Sequence, residues 1–488
     1  MNQQPSAPRP TLAIHELGRN RRIGILLICS TSLFIVGLDI TAVNVALPAI
    51  GQDLDAGLSG LAWTVDAYTV VMASLLMFSG SLADRLGRKR IFVAGLAVFA
   101  LASLACSLAP SIELLVAARV LQGVGASMLN PVAMSIITNT FTIPRERAQA
   151  VGVWGAMFGI SMALGPIVGG ALVSSAGWRS IFWINLPVAL AAIVLTLRFV
   201  PESSAPRARR FDPIGQVLMT VLLAGLTFGI IEGPALGWDS PMIVGALLAA
   251  AASLVGFLVY EPRREDPLID VRFFRSIPFS SAILISLAAF AAFGGFLFVN
   301  TLILQEGLGL SPLEAGLATV PVAVMTVIAS PLSGWLVGRS GPRTPLLISG
   351  VALMVGALML TGIDAQTPLA WLLAAYVVFG LGFGLVNAPI TNAAVSGMPR
   401  AQAGVAAAIA TTSRQVGQTL GVAIIGALVA SHAGASLKDL SSASHVAWWT
   451  LAVCGALVLA LGFLATSRRA AASAHRTAVE LNPEALAA

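Results

Sequence analysis

The sequence predicts an all-α polytopic membrane protein with fourteen transmembrane helices. Of the 488 residues, 57% are hydrophobic and only 10% are charged, and the mean hydropathy is +0.89; a typical soluble domain has roughly 25% charged residues. Apolar stretches of about 20 residues recur along the whole chain, and each could cross a bilayer core of about 30 Å as a helix. The alternating segments of about ten residues that form outer-membrane barrels are absent from the sequence.

Clusters of charged and turn residues divide the chain into fourteen candidate spans. Their predicted limits are 23–48, 61–82, 91–109, 113–138, 147–173, 181–199, 212–232, 241–260, 279–304, 313–337, 345–363, 370–395, 402–430 and 446–466. The first span is too long for the apolar core of a signal peptide, and no convincing cleavage site follows it. Residues 1–22 are therefore expected to form a cytoplasmic tail.

The Lys and Arg residues test this number of spans. If both termini are cytoplasmic, all but four of the 28 Lys and Arg residues fall in cytoplasmic segments; the exceptions are Arg119, Arg179, Arg414 and Lys438. This asymmetry follows the positive-inside rule and explains the basic pI of about 9.9 without a nucleic-acid partner. We expect a multi-pass protein of a bacterial inner (plasma) membrane, with both termini cytoplasmic.

The cysteines and histidines indicate neither a metal site nor a disulfide framework. Cys29, Cys106 and Cys454 lie within apolar spans, and the four histidines lie in tails or loops. A membrane-embedded enzyme or redox subunit would need such a constellation in mid-span. We therefore predict a protein that is not an enzyme and has no cofactor or metal.

The chain contains an internal repeat. GSLADRLGRKR (80–90) reappears as GWLVGRSGPRT (334–344), and GVGASMLNP (123–131) reappears as GLGFGLVNAP (380–389). The near-constant offsets of 254 to 257 residues predict two homologous six-span halves in parallel orientation, with two inserted spans between them. The predicted divisions are a tail at 1–22, a six-helix bundle at 23–199, a linker with two extra helices at 200–278, a second six-helix bundle at 279–466 and a cytoplasmic tail at 467–488.

The two halves differ in charge. The aligned pairs are Asp39 with Gly295, Asp84 with Gly338, and Arg119 with Tyr376. The N-terminal half therefore keeps ionisable groups that the C-terminal half lacks, which suggests that the first half handles charge and the second provides packing and shape.

Four motifs resemble those of the major facilitator superfamily. GSLADRLGRKR is similar to its loop motif between spans 2 and 3, and RVLQGVGAS (119–127) to its span-4 motif. LGPIVGG (164–170), followed by WRSIFWINLPV (178–188), resembles the span-5 motif of its antiporters, and LDITAVNVALP (38–48) the first-span signature of its fourteen-span drug:proton antiporters. The second loop motif departs from the pattern because GWLVGRSGPRT lacks the acidic residue.

The resemblance implies a major-facilitator fold and a multidrug efflux protein. Such a protein would be driven by the proton gradient and would export hydrophobic, often cationic, compounds, thereby conferring antibiotic resistance. It also implies an antiporter motif, which comprises Gly165, Pro166, Gly169 and Gly170. Plain helix packing is the alternative role of these residues.

Asp39 is the first candidate for proton coupling. It lies sixteen residues past Ile23, about 24 Å along a helix. A charged group in the membrane costs roughly 2.5–3.5 kcal/mol, so a carboxyl group that is neutral in one state and ionised in another would suit proton coupling. A structural ion pair is the alternative.

Arg119 and Asp66 complete the predicted coupling group. Arg119, Gln122 and Asn130 lie on one face of span 4. Because arginine stays charged, Arg119 is expected to favour the ionised form of Asp39 or Asp66 in one conformation; a permanent salt bridge between spans 1 and 4 is the alternative. Asp66 could relay protons or merely lie near the interface, and Glu232 and Glu306 at outer span ends are expected to be solvated.

Two further groups of residues are functional candidates. The cytoplasmic gate comprises Asp84, Arg85, Gly87 and Arg88, in which Asp84 would latch the cytoplasmic side shut in the outward-facing state. The substrate cavity comprises Asn44, Gln122, Asn130, Phe293, Asn300, Asn387 and Arg414. Phe293 has simple packing as its alternative role.

The partners follow from these candidates. We expect a small hydrophobic substrate, protons and the lipid bilayer as partners, a monomer, and no periplasmic adaptor. A lipid, glycolipid or natural-product exporter of the same fold is the alternative function. A nutrient-uptake symporter is disfavoured by the span-5 motif.

Overall fold

The computed structural model describes residues 18–205, 212–264, 267–363, 366–396, 398, 402–433 and 440–481. These residues form α-helices joined by short turns, which confirms the all-α membrane fold. Among them, thirteen helical segments are long and apolar enough to cross a membrane, and a fourteenth apolar helix has 17 residues, close to the lower limit for a span.

The helices follow the predicted spans in order. The first six spans are α1 (Arg19–Asp53), α2 (Leu58–Leu86), α3 (Arg88–Ser107), α4 (Ile112–Thr140), α5 (Pro144–Ala176) and the broken pair α6 (Ser180–Trp183) and α7 (Asn185–Phe199). The inserted spans are α8 (Pro213–Leu236) and α9 (Pro241–Tyr260). The last six are α10 (Ile277–Leu302), the broken pair α11 (Pro312–Ala318) and α12 (Val320–Ser340), α13 (Arg343–Met359), α14 (Leu369–Val395), α15 (Ala403–Ala433) and α16 (Leu440–Ala465).

Two features differ from the predicted spans. The sixth and tenth spans are broken because Pro187 and Pro321 cannot donate a backbone hydrogen bond to the preceding turn. A further helix, α17 (Arg468–Leu481), occupies most of the region predicted as a simple tail. It packs small side chains such as Ser473 beside the start of α10, where Ile277 N donates to Ser473 Oγ at 3.0 Å.

The two halves pack in the same way. In the first, α1 packs on α5, and α2 and α3 pack on α4; in the second, the equivalent helices repeat these pairs as α10 on α15, and α12 and α13 on α14. Equivalent contacts in both halves are what a parallel sequence repeat predicts. The fold is therefore two six-helix bundles with α8 and α9 as an added pair.

The bundles touch at one end and separate at the other. We define the basic end as the one where α1 begins and α2 ends, and the far end as the opposite one. At the far end, a Cβ placed on Gly170 of α5 would lie 2.5 Å from Pro312 O. Further along α5, Gly159 lies near Val327 of α12. Gly152 and Gly155 lie on the same face of α5 but nearer the basic end, and a Cβ on either would meet no atom within 4 Å.

The inserted helix α8 lies against both α2 and α15. Gln216 Nε2 donates to Ser74 O, and Glu232 accepts hydrogen bonds from Ser59 Oγ at 2.6 Å and Trp63 Nε1 at 2.7 Å. Glu232, expected to be solvated, is thus partly buried, and its carboxylate ties α8 to α2. Glu306 likewise accepts from Gln52 Nε2 at 3.0 Å.

Candidate functional site

A buried ion pair joins α1 to α4 in the first bundle. Arg119 Nη1 lies 2.5 Å from Asp39 Oδ2, and both side chains are 1% exposed. Arg119 Nε also donates to the backbone oxygen of Thr64 at 2.9 Å, and its guanidinium carbon lies 4.2 Å from the centre of the Tyr68 ring. Of the two acids proposed as its partner, the structure pairs Arg119 with Asp39.

Amide side chains complete the surroundings of Asp39. Asp39 Oδ1 accepts from Gln122 Nε2 at 2.9 Å and from Asn185 Nδ2 at 3.0 Å. Gln122 also donates to Ser103 Oγ and accepts from Arg119. A buried ion pair is stable only when such additional hydrogen bonds satisfy its remaining lone pairs and protons. The carboxylate of Asp39 is thus fully supported as an ion.

Sequence reasoning missed Asn185, Ser103 and Tyr68 in this network. Asn185 interrupts the apolar run WINLP at the start of α7, which is a polar signal of the kind that identified Asp39. Ser103 and Tyr68 carry no comparable signal, because Ser and Tyr occur commonly in membrane helices as packing or interface residues.

Asp66 has the opposite surroundings. It is fully buried, and among the described residues its Oδ1 accepts a hydrogen bond only from Thr69 Oγ1, at 3.3 Å, and its Oδ2 has no hydrogen-bond partner. No ion pair to Asp66 occurs among the described residues. Thr69 Oγ1 accepts from Thr419 Oγ1 of α15 at 2.8 Å, so Asp66 lies beside the contact between the bundles.

The predicted gate residues lie at the basic end. Asp84 Oδ1 accepts hydrogen bonds from Arg88 Nε at 3.0 Å and from Arg88 Nη2 at 2.8 Å. The pair therefore joins the end of α2 to the start of α3 across one short turn, and Arg85 lies next to this turn. Gly87 has φ +110° and faces Glu202, where a Cβ would lie 2.7 Å from the carboxyl carbon. In the part of the chain that the structure describes, these contacts join the first bundle to itself and to Glu202 of the linker, and none of them involves the second bundle.

The predicted antiporter motif forms two interfaces at the far end. Cβ atoms on Gly165 and Gly169 would collide with Thr41 and Ala42 of α1. Gly170 meets α11, and a Cβ on Gly316 of α11 would collide with Pro166 O. The glycines therefore bring α5 against both its own bundle and the second one.

The predicted cavity residues are divided between several places. Asn387 and Arg414 meet in the second bundle, where Arg414 Nη2 donates to Asn387 O at 3.3 Å. Phe293 is 2% exposed and stacks on Phe383 with ring centres 4.1 Å apart, so it packs inside the second bundle rather than lining an opening in this conformation.

The remaining cavity candidates are asparagines, and each has an unpartnered polar atom. Asn44 Nδ2 donates within α1 to Ile40 O, and Oδ1 of both Asn44 and Asn130 is buried without a partner. Asn300 Oδ1 accepts from Tyr376 OH at 2.5 Å. Because Tyr376 aligns with Arg119, the second bundle has a neutral hydrogen-bonding side chain where the first has a guanidinium. No group of described His, Cys, Asp or Glu residues could hold a metal ion.

Comparison with known proteins agrees with this architecture. The chain matches the model of the Major Facilitator Superfamily over residues 29–422. It is 38% identical over 413 residues to the multidrug resistance protein Stp of Mycobacterium tuberculosis, covering 85% of this chain and 77% of that protein. It is 37% identical over 424 residues to the tetracenomycin C resistance and export protein of Streptomyces glaucescens, covering 86% and 78%.

A solved structure shows the same fold. The crystal structure of a peptide transporter, POT, in complex with sulfate superposes with a TM-score of 0.66 at 15% identity, covering 90% of this chain and 95% of that one. With the family match and the curated relatives, the chain belongs to the Major Facilitator Superfamily, in the group that contains drug efflux proteins.

Proposed function

We propose that the chain is a proton-coupled antiporter that exports small hydrophobic compounds by alternating access. The observation that carries this proposal is the contrast between two buried carboxyl groups: Asp39 is paired with Arg119, whereas Asp66, beside the contact between the bundles, has no counterion among the described residues. An ionised Asp66 would be an uncompensated charge in an apolar setting, so its neutral, protonated form suits this conformation.

The positive-inside rule supports placing the basic end, and both termini, in the cytoplasm of a bacterial cell. The structure would then be open to the cytoplasm and closed to the outside. Opening of the far end would separate α2 from α15 and bring external water to Asp66, while Asp84 would latch the basic end. The proposed opening lies between the two bundles of one chain, which supports a monomer as the transporting unit.

We propose the bundle divisions at 23–199, 200–278 and 279–466 as the moving units. The names of the relatives support drug or natural-product substrates: one is called a multidrug resistance protein and another an antibiotic resistance and export protein. Lipid or glycolipid export is the alternative and would use the same opening.

The direct test is efflux of a fluorescent substrate such as ethidium or fluorescein from energised cells, with and without an uncoupler. Wild-type efflux is expected to be sensitive to the uncoupler and to be lost in Asp39→Asn, because an amide cannot exchange a proton or pair with Arg119. Unchanged coupled efflux in Asp39→Asn would refute the role of this carboxylate. Uncoupler-insensitive efflux by the wild type would refute proton coupling.

Asp66→Asn should preserve the fold and lose the dependence of transport on external pH. The amide imitates the neutral acid that the structure accommodates, but it cannot release a proton. The measurement is substrate flux in vesicles between pH 5 and pH 8. Asp55→Asn is the matched control, since Asp55 is exposed at the far end and its φ of 49° is one that Asn tolerates. An Asp66→Asn profile that follows the wild type would contradict the assignment.

A further inference from the structure

Arg414 is a charged residue inside the second bundle that the coupling mechanism does not use. It lies eleven residues into α15, about 16 Å from the basic end of that helix. The side chain is half-buried, and Nη2 donates to Asn387 O at 3.3 Å and to Thr391 Oγ1 at 2.7 Å, both on α14. Thr391 is exposed close to the end of α14, so this group can be reached from the surface of the second bundle near the basic end.

The guanidinium of Arg414 has no anionic partner among the residues that the structure describes. The sequences of α10 and α12–α16 contain no Asp or Glu, and the hydrogen bonds that Arg414 makes to described residues involve only neutral oxygens. Its Nε is buried without a hydrogen-bond partner. A guanidinium within a membrane protein normally faces a carboxylate or another anion, because an uncompensated charge there is costly.

Apolar rings hold the guanidinium in place. Its central carbon lies 5.9 Å from the centre of the Phe290 ring, and Phe290 packs on Phe383 with ring centres 5.1 Å apart. A fixed cation, neutral polar groups and an apolar wall thus meet at one place.

Resting on the proposed export function, we infer that Arg414 is a binding site for the anionic group of the substrate, and that the substrates are apolar molecules bearing a carboxylate or phenolate. The bidentate fork of arginine suits such oxygen anions. This differs from the cationic compounds that the resemblance implied.

Asp66 is not the partner of Arg414 in this conformation. The two residues lie on opposite sides of the Thr69–Thr419 contact, and counting residues along α2 and α15 separates them by about 12 Å. An ion pair between them in another conformation is the competing role. It would make Arg414 important for transport without any preference for anionic ligands.

The test compares two dyes with the same tricyclic ring, anionic fluorescein and cationic rhodamine 123. Binding to the purified full-length protein is measured by fluorescence anisotropy without a proton gradient. We expect the wild type to prefer fluorescein, Arg414→Gln to weaken fluorescein binding by about tenfold or more, and Arg414→Lys to retain most of it. Rhodamine 123 binding should change less than about twofold in both variants.

Arg339→Gln is the matched control, because Arg339 is an exposed arginine at the end of α12 and should not affect either dye. Equal fluorescein binding by wild type and Arg414→Gln, or a wild-type preference for rhodamine 123, would overturn the inference. Gradient-driven export of rhodamine 123 without fluorescein binding would do so too, while leaving proton-coupled export intact. Fluorescein binding that needs Arg414 but no gradient-driven flux would leave the anion site and remove the export function.

Discussion

Removing either member of the Asp39–Arg119 pair is expected to destabilise the protein by about 3–5 kcal/mol, because the remaining charge would stay buried without its partner. Arg119→Gln leaves the carboxylate of Asp39 with only Gln122 and Asn185 as donors. Asp39→Asn leaves the guanidinium with the backbone oxygen of Thr64, the side-chain oxygen of Gln122 and the ring of Tyr68. Thermal or denaturant unfolding in detergent measures both losses.

The double variant Asp39→Asn with Arg119→Gln separates a structural pair from a functional one. It should recover much of the lost stability, since two neutral amides can hydrogen-bond where two charges had to be balanced. Its proton-driven transport should nevertheless stay absent. Recovery of transport along with stability would mean that the pair only holds α1 to α4. Single variants as stable as the wild type would contradict the buried pairing itself.

The substitution Gly170→Leu should shift the protein out of the conformation that the structure describes. Its Cβ would lie 2.5 Å from the backbone oxygen of Pro312, and overpacking of about 1–3 kcal/mol corresponds to a roughly 5- to 150-fold change in the population of the state closed at the far end. Spin labels on cysteines introduced at Ile23 and Leu332, which are 42% and 44% exposed, should report a shorter distance as the basic end closes.

The substitution Gly155→Leu is the matched control on the same helix, and it is expected to leave the described conformation in place. A Cβ there meets no atom within 4 Å, so the described conformation should be retained and the distance between the labels should stay long. Both variants should transport at least about tenfold more slowly, because each favours one conformation of a cycle that requires two. Identical label distances in the two variants would show that the glycine contacts do not control which end is closed.

The fold could be predicted from sequence because its signals are long and repeated. Fourteen apolar runs, the charge asymmetry and the offset of 254 to 257 residues all describe the same architecture. The helix α17 could not be predicted in this way. It is polar on average and too short to cross a membrane, so a search for long apolar runs misses it, although its buried residues Ala470, Ser473 and Ala474 lie on one face at helical spacing.

The candidate site was predictable only in part. An ionisable residue in an apolar span is conspicuous, so Asp39, Asp66 and Arg119 could be singled out, but their pairing depends on how the helices are rotated. The sequence therefore allows either Asp39 or Asp66 as the partner of Arg119. The packing of α1, α4 and α7 selects Asp39. Asp39 has an arginine and two amide donors, whereas the described residues give Asp66 only Thr69 as a donor. This difference can be seen only in the three-dimensional structure.

The added helix α8 covers one of the two seams between the bundles. It lies across the seam between α2 and α15, with Met219 and Leu223 packed beside Val70 and Val416. The equivalent seam between α5 and α12 has no such cover among the described helices, and its glycine face is open towards the basic end. In the proposed orientation, a compound dissolved in the inner leaflet would therefore meet a covered seam between α2 and α15 and an uncovered one between α5 and α12.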